Sequence, residues 1–151
     1  VEIRRCEMKN AVGVLVCFVL LLPSSCGEPE SPAAISSAEE LAGVWHRTTR
    51  TGFGGEVYRQ YTEDGIYRMG SSLEELEARP RVEGRFWFEG GQIVVQDTAG
   101  IPGYDICVEG EKTGRYDLEV LENGHIRFVL VEDECADRAG LVGAGEMERV
   151  K

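Results

Sequence analysis

Hydrophobic and polar positions alternate along most of the chain between Leu41 and Val150. In GRFWFEGGQIVVQ and GRYDLEVLENGHIRFVLVED, one set of positions carries Phe86, Phe88, Ile93, Val95, Tyr116, Leu118, Val120, Ile126, Phe128 and Leu130. The other set carries Glu83, Arg85, Asp117, Glu119 and Arg127. Successive side chains of a strand point to opposite faces, so the pattern predicts antiparallel strands with one dry and one wet face. Asp64-Gly65, Gly90-Gly91 and Asn123-Gly124 supply the positive φ angles of the hairpin turns between them. Segments near 41–48, 56–62, 65–70, 82–89, 92–97, 104–108, 113–121, 125–132 and 142–150 give eight or nine strands. One helix is expected at 73–79, opened by the capping box of Ser72 and Glu75 and stopped by Pro80. The fold class is therefore all-β, an antiparallel up-and-down barrel that closes its own edges, with a two-sheet sandwich as the alternative.

The start of the chain has a different pattern. Ala11 to Leu22 is an uncharged apolar run of twelve residues, and a bilayer-crossing helix needs about twenty. With Lys9 before it and Ser24 and Ser25 after it, residues 1–25 read as a secretory signal peptide. Met8-Lys9-Asn10 is a normal opening for such a signal, so Val1 to Glu7 reads as an over-extended start. Leu22-Pro23-Ser24-Ser25-Cys26 resembles the lipobox of bacterial lipoproteins. That resemblance implies lipidation of Cys26 and a protein anchored to a membrane of the bacterial cell envelope on its extracytoplasmic side. An ordinary cleaved signal, releasing a soluble protein, is the alternative. Residues 26–40 then form a lipidated cysteine and a Pro-, Ser- and Glu-rich tether, with a helical turn at 38–41, and residues 41–151 form the barrel domain.

Charge narrows the partners. The chain carries a formal charge of −11. Cleavage before Cys26 removes three basic and two acidic side chains, leaving 13 Lys+Arg, 25 Asp+Glu and a charge of −12 on 126 residues. Nucleic acid is excluded, because a polyanion finds no basic surface here. An anionic membrane would be met through the anchor alone, and the domain is expected to be a monomer. If Cys26 carries lipid, Cys107 and Cys135 remain as an even pair in an oxidising compartment, and a disulfide between them is expected. A metal site is the alternative, although neither cysteine has a partner at the short spacing zinc favours.

The opening Leu41-Ala42-Gly43-Val44-Trp45 and the closing Gly145-Glu146-Met147-Glu148-Arg149-Val150 resemble the first and last strands of lipocalin and calycin barrels. Closer likeness is to the lipocalin-like domains of small bacterial secreted lipoproteins, through Asp64-Gly65-Ile66-Tyr67, Phe86 to Gln92, and the set Asp133, Cys135 and Arg138. The resemblance implies that Gly43, Trp45 and Arg149 are structural, the tryptophan plugging one end with the arginine packed across it.

Candidate chemistry is sparse. The sequence holds no nucleophile elbow, HExxH, phosphate loop or EF-hand pattern, so no catalytic residue, cofactor or metal is assigned. His46 and His125 are expected to be solvated, and Asp133 with Arg138 to form a local cap or ion pair. Aromatic residues concentrate in the strands, and Tyr58, Tyr67, Phe86, Phe88, Tyr116 and Phe128 are the candidate lining of a pocket for a small apolar ligand, with Arg47 or Arg59 orienting a polar end. The competing expectation is a filled core, which small barrels commonly have. Trp87 falls on the wet face, either beneath the helix at 73–79 or on a contact surface. Two functions stay open, a lipid-anchored binding module and a structural or interaction lipoprotein. An enzyme is a third, to be revived by a perturbed carboxylate or histidine facing a cavity.

Overall fold

The computed structural model describes residues 34–49, 55–143 and 145–151; the signal segment, Cys26 and the first part of the tether lie outside them. Eight antiparallel strands close into a barrel in sequence order: β1 (Gly43–Thr49), β2 (Gly55–Tyr61), β3 (Ile66–Gly70), β4 (Val82–Glu89), β5 (Gln92–Gly100), β6 (Thr113–Val120), β7 (Ile126–Asp133) and β8 (Glu146–Arg149). Helices α1 (Ala38–Leu41), α2 (Leu73–Ala78) and α3 (Ala136–Val142) and a 3-10 turn at Glu109–Glu111 complete the described chain. The all-β up-and-down architecture is as the alternation predicts.

Up-and-down connectivity sorts the connections onto two ends. The tight turns at Thr62–Gly65, Gly90–Gly91 and Leu121–His125 share one end with α1, and α2, the 101–112 loop and α3 share the other. The first end is plugged. The Trp45 indole donates to the Leu41 carbonyl at 2.9 Å. The Arg149 guanidinium lies 4.6 Å from the Trp45 ring and donates to the carbonyls of Ala42 and Glu40. A cation over the indole and donors on the free carbonyls at the end of α1 stabilise both groups at once. Gly43 turns the chain into β1 at φ 136°, a backbone angle that disfavours any side chain.

Inward positions form the core predicted from the alternation, with Phe86, Ile93, Val95, Tyr116, Ile126 and Phe128 buried. Two inward positions are glycines with a packing reason. A Cβ at Gly84 would overlap the Tyr67 ring and the Gln96 carbonyl, and one at Gly114 would overlap the Asp133 carboxylate and the Tyr116 ring. Each glycine opens a slot for one tyrosine.

Four expectations are corrected. Residues 104–108 form turns and not a strand, because they bridge the open end. The segment 142–150 is not one strand, since Val142 ends α3 and β8 begins at Glu146. The tether is folded from Ile35 onward, where Ile35 and Ala38 pack against the core. Leu130, expected on the dry face, is not buried but 48% exposed, beside Val129 at 36% and Val131 at 47%. Its register with the buried Tyr116 keeps the expected parity, ahead of the bulge at Arg115/Tyr116, but β7 pairs with β8 only at Ile126 and Arg127, so this part of β7 is left uncovered. Trp87 is 39% exposed on the outer face, paired with Val94, which is itself nearly fully buried between Trp87 and Arg115.

Gly84→Ala should destabilise the barrel by about 1 to 3 kcal/mol through overpacking, read as a lower urea midpoint at unchanged slope. Ala substituted at the outward, exposed Arg85 serves as the control and should shift the midpoint little.

Candidate functional site

The open end is built around α3. β8 has four residues against eight in β7, so the wall between β7 and β1 is incomplete beyond Arg127, and α3 packs into the gap. Three devices hold it. The Cys107–Cys135 disulfide, with Cα atoms 5.6 Å apart, ties its start to the 101–112 loop. Arg138 reaches inward to Asp133, with nitrogen–oxygen distances of 2.9 and 2.8 Å, and its Nη1 lies 3.4 Å from Asp97. The Leu141 carbonyl accepts from Arg47 Nη1 at 2.5 Å and from Arg59 Nη2 at 2.8 Å.

The two slots made by glycine serve this network. Tyr67, beside Gly84, donates to Asp97, and Tyr116, beside Gly114, donates to Asp133. Asp133 also accepts the Cys135 amide at 2.7 Å, so it fixes the residue that precedes α3 while pairing with Arg138. Burial pushes the Asp97 carboxyl above its ordinary value, and the Arg138 charge pulls it back only in part. Burial opposes the charge of Arg138, but the two aspartates outweigh that and raise its affinity for its proton. Tyr116 is driven well up by burial and by its bond to Asp133.

Beneath this lid lies a cavity of about 220 Å³. Its wall is Arg59, Tyr61, Tyr67, Met69, Val82, Val95 and Asp97, and its cover is Gly103, Tyr104, Ile106 and Cys107 from the loop and Asp137, Arg138, Leu141 and Val142 from α3. Exposed Gly103, Ile106 and Asp137 mark the mouth. Tyr104 is fixed by Arg81, which also binds Glu75 of α2, so the third element of the open end is tied to the same loop. The chemistry available is that of binding: an apolar wall with a cation and an acid at fixed places. Asp97 is a perturbed carboxylate facing a cavity, yet Tyr67 and Arg138 occupy it; Cys107 in the lining is tied in the disulfide, and no serine or histidine among the described residues lines the space.

The residues singled out from sequence divide sharply. Tyr67 lines the cavity. Phe86, Tyr116 and Phe128 belong to the packed core around it, Tyr116 and Phe128 with rings edge to face, and Phe88 is half-buried at its margin. Tyr58 is not in the interior: it is on the outer face, stacked on His46 at 4.6 Å with its hydroxyl on Glu56, because Val57, Arg59 and Tyr61 take the inward positions of β2. The two histidines flank Glu148 on the outer surface, His46 at 3.3 Å and His125 at 3.9 Å. No metal-binding group of histidine, cysteine and carboxylate occurs among the described residues. Sequence reasoning missed Tyr61, Met69, Val82 and Asp97; Asp97 was findable, since it continues the inward series Ile93, Val95.

Replacing both Cys107 and Cys135 with serine should lower stability by about 3 to 4 kcal/mol, as expected for a closed loop spanning 28 residues, measured by urea unfolding. For Asp97, the raised pKa fixes the sign of the pH effect. Its contribution is fully present below its ordinary value of 3.8 and is lost as pH rises through the higher folded value. Asp97→Asn should therefore gain stability relative to the parent as pH rises from about 3.8 toward 7, and a constant or falling difference across that range would contradict this reading.

A scan against protein-family models, a search of curated proteins and a search of solved structures each found no match to this chain.

Proposed function

We propose that this chain is a lipid-anchored, extracytoplasmic lipocalin-like protein that holds a small apolar or amphipathic ligand in its barrel. The observation that carries the reading is the cavity under the α3 and 101–112 cover, lined largely by apolar and aromatic side chains with a few fixed polar groups. At about 220 Å³ it falls below the roughly 300 Å³ at which drug-sized sites begin, which suits a small ligand. The plug of Trp45, Leu41 and Arg149 supports the resemblance to lipocalin barrels.

The topology adds a direction. Residues 34–41 lead into the plugged end, whereas the cavity mouth is at the other. A tether running back to a lipid on Cys26 therefore leaves the mouth facing away from the anchored end, so the ligand arrives from the aqueous side. The second reading, an interaction lipoprotein, is favoured by one observation. The exposed Val129, Leu130 and Val131 lie on the part of β7 that β8 does not reach.

Native mass spectrometry of the exported protein should reveal a discrete added mass removed by denaturation. A bare mass, together with no binding of small amphiphiles in titration, would favour the interaction reading. Fractionation tests the anchor: Cys26→Ser should move the protein out of the membrane fraction, and retention there would refute lipidation at this residue.

A further inference from the structure

We infer that the free edge of β7 is a docking groove for an extended segment of another protein, apolar at its centre and flanked by basic residues, which lies in line with β8. The groove is on the other side of α3 from the cavity, so the inference stands or falls separately from any barrel ligand.

On one edge β7 is paired with β6 from Ile126 to Asp133, with a bulge at Val131, but on the other it meets β8 only at Ile126 and Arg127. Among the described residues, no main-chain hydrogen bond reaches that second edge from Phe128 to Val131. Folded proteins ordinarily shield such an edge with charges, proline or a covering loop, because its free N–H and C=O groups template another strand. Here the edge carries three exposed apolar residues in a row, Val129, Leu130 and Val131. Beside it runs a groove of about 470 Å³, lined by β7 from Arg127 to Leu130 and by Ala139, Gly140 and Gly143 of α3. These small residues let a main chain approach the helix closely, and a Cβ added at Gly140 would meet nothing within 4 Å. Strand addition of this kind takes its affinity from main-chain bonds and its selectivity from alternate side chains.

Charge selects the occupant. Glu132 follows the apolar run on β7, Asp117 and Glu119 stand opposite Val129 and Arg127 on β6, and Glu146 stands opposite Arg127 on β8. The arginines of this region are already engaged. Arg127 donates to Glu119 through Nε at 2.9 Å and Nη2 at 2.6 Å, and Arg115 is shared between Glu89 and Glu132. The groove is therefore apolar along its length and acidic around it, which suits valine-like side chains between lysines or arginines. A second copy suits it poorly. It would bring an edge flanked by its own α3, the same acids, and a chain of formal charge −11.

The test titrates three short dye-labelled peptides of alternating valine and threonine into the exported full chain at neutral pH, read by fluorescence anisotropy. One is flanked by lysines, one by glutamates, and the third is the lysine peptide with alternate amides N-methylated along its pairing edge. The lysine peptide should bind about tenfold more tightly than the glutamate peptide, with the gap narrowing in high salt. N-methylation should weaken it by about tenfold or more. Gly140→Leu puts a good helix former at an exposed position and fills the groove, so it should weaken the lysine peptide about tenfold while the fold persists. Glu132→Lys, at a side chain 72% exposed, should shrink the preference for lysine severalfold, and it decides the matter if Gly140→Leu loses its near-UV dichroism. Equal binding of the glutamate peptide would overturn the charge selection, and equal binding of the N-methylated peptide would overturn strand addition. Failure of all three to bind would overturn the docking groove, with a dimer in sedimentation equilibrium assigning the edge to a second copy instead.

Discussion

The open end of this barrel depends on one backbone carbonyl. Leu141 accepts hydrogen bonds from two buried guanidiniums, Arg47 of β1 and Arg59 of β2, and by doing so joins α3 to the strands on the far side of the gap that β8 leaves. Bonds from charged donors to a buried carbonyl are stronger than neutral ones, and here they take the place of a strand ladder. The same bonds set the position of Arg59 in the cavity wall, so closure of the wall and polarity of the interior are one arrangement.

The opposite side of α3 is held by charge and covalent chemistry. Arg138 sits between Asp97 and Asp133, each aspartate takes a tyrosine hydroxyl, and each tyrosine needs a glycine beside it. A buried ionic group of this kind contributes little net stability compared with well-packed apolar residues, but breaking one member is costly because it strands the others. The disulfide a few residues away limits how far the helix could leave if the network opened. The plugged end needs none of this: Trp45 and Arg149 satisfy the carbonyls of α1 directly.

Local rules made the wall of the barrel legible. Alternation found the inward faces of β4, β5 and β6, and Gly-containing dipeptides placed the hairpin turns. The same alternation placed Leu130 inward, and its register with Tyr116 keeps that parity, but β8 stops short of it and leaves it 48% exposed, which alternation along one strand does not report. α3 was not expected, and only its last residue, Val142, fell in the expected closing segment, because its main interactions, through Arg138, Cys135 and the Leu141 carbonyl, are long-range. Aromatic character alone places Tyr58 in the lining, but strand parity does not: Val57 and Tyr61 on the same strand take the inward positions and turn Tyr58 outward. The cavity itself could not be read from sequence, since it is formed by segments from β2 to α3 that only the closed barrel brings together.

The shortness of β8 has a mechanical consequence. Its register with each neighbour covers two residue pairs, Trp45–Arg149 and His46–Glu148 on one side and Ile126–Met147 and Arg127–Glu146 on the other. Every other junction in the wall is longer. The cylinder is thus laced like a sleeve with one short zip: with the fewest paired residues of any junction, the seam at β8 is the part of the wall that costs least to open locally, while β2 through β6 stay laced.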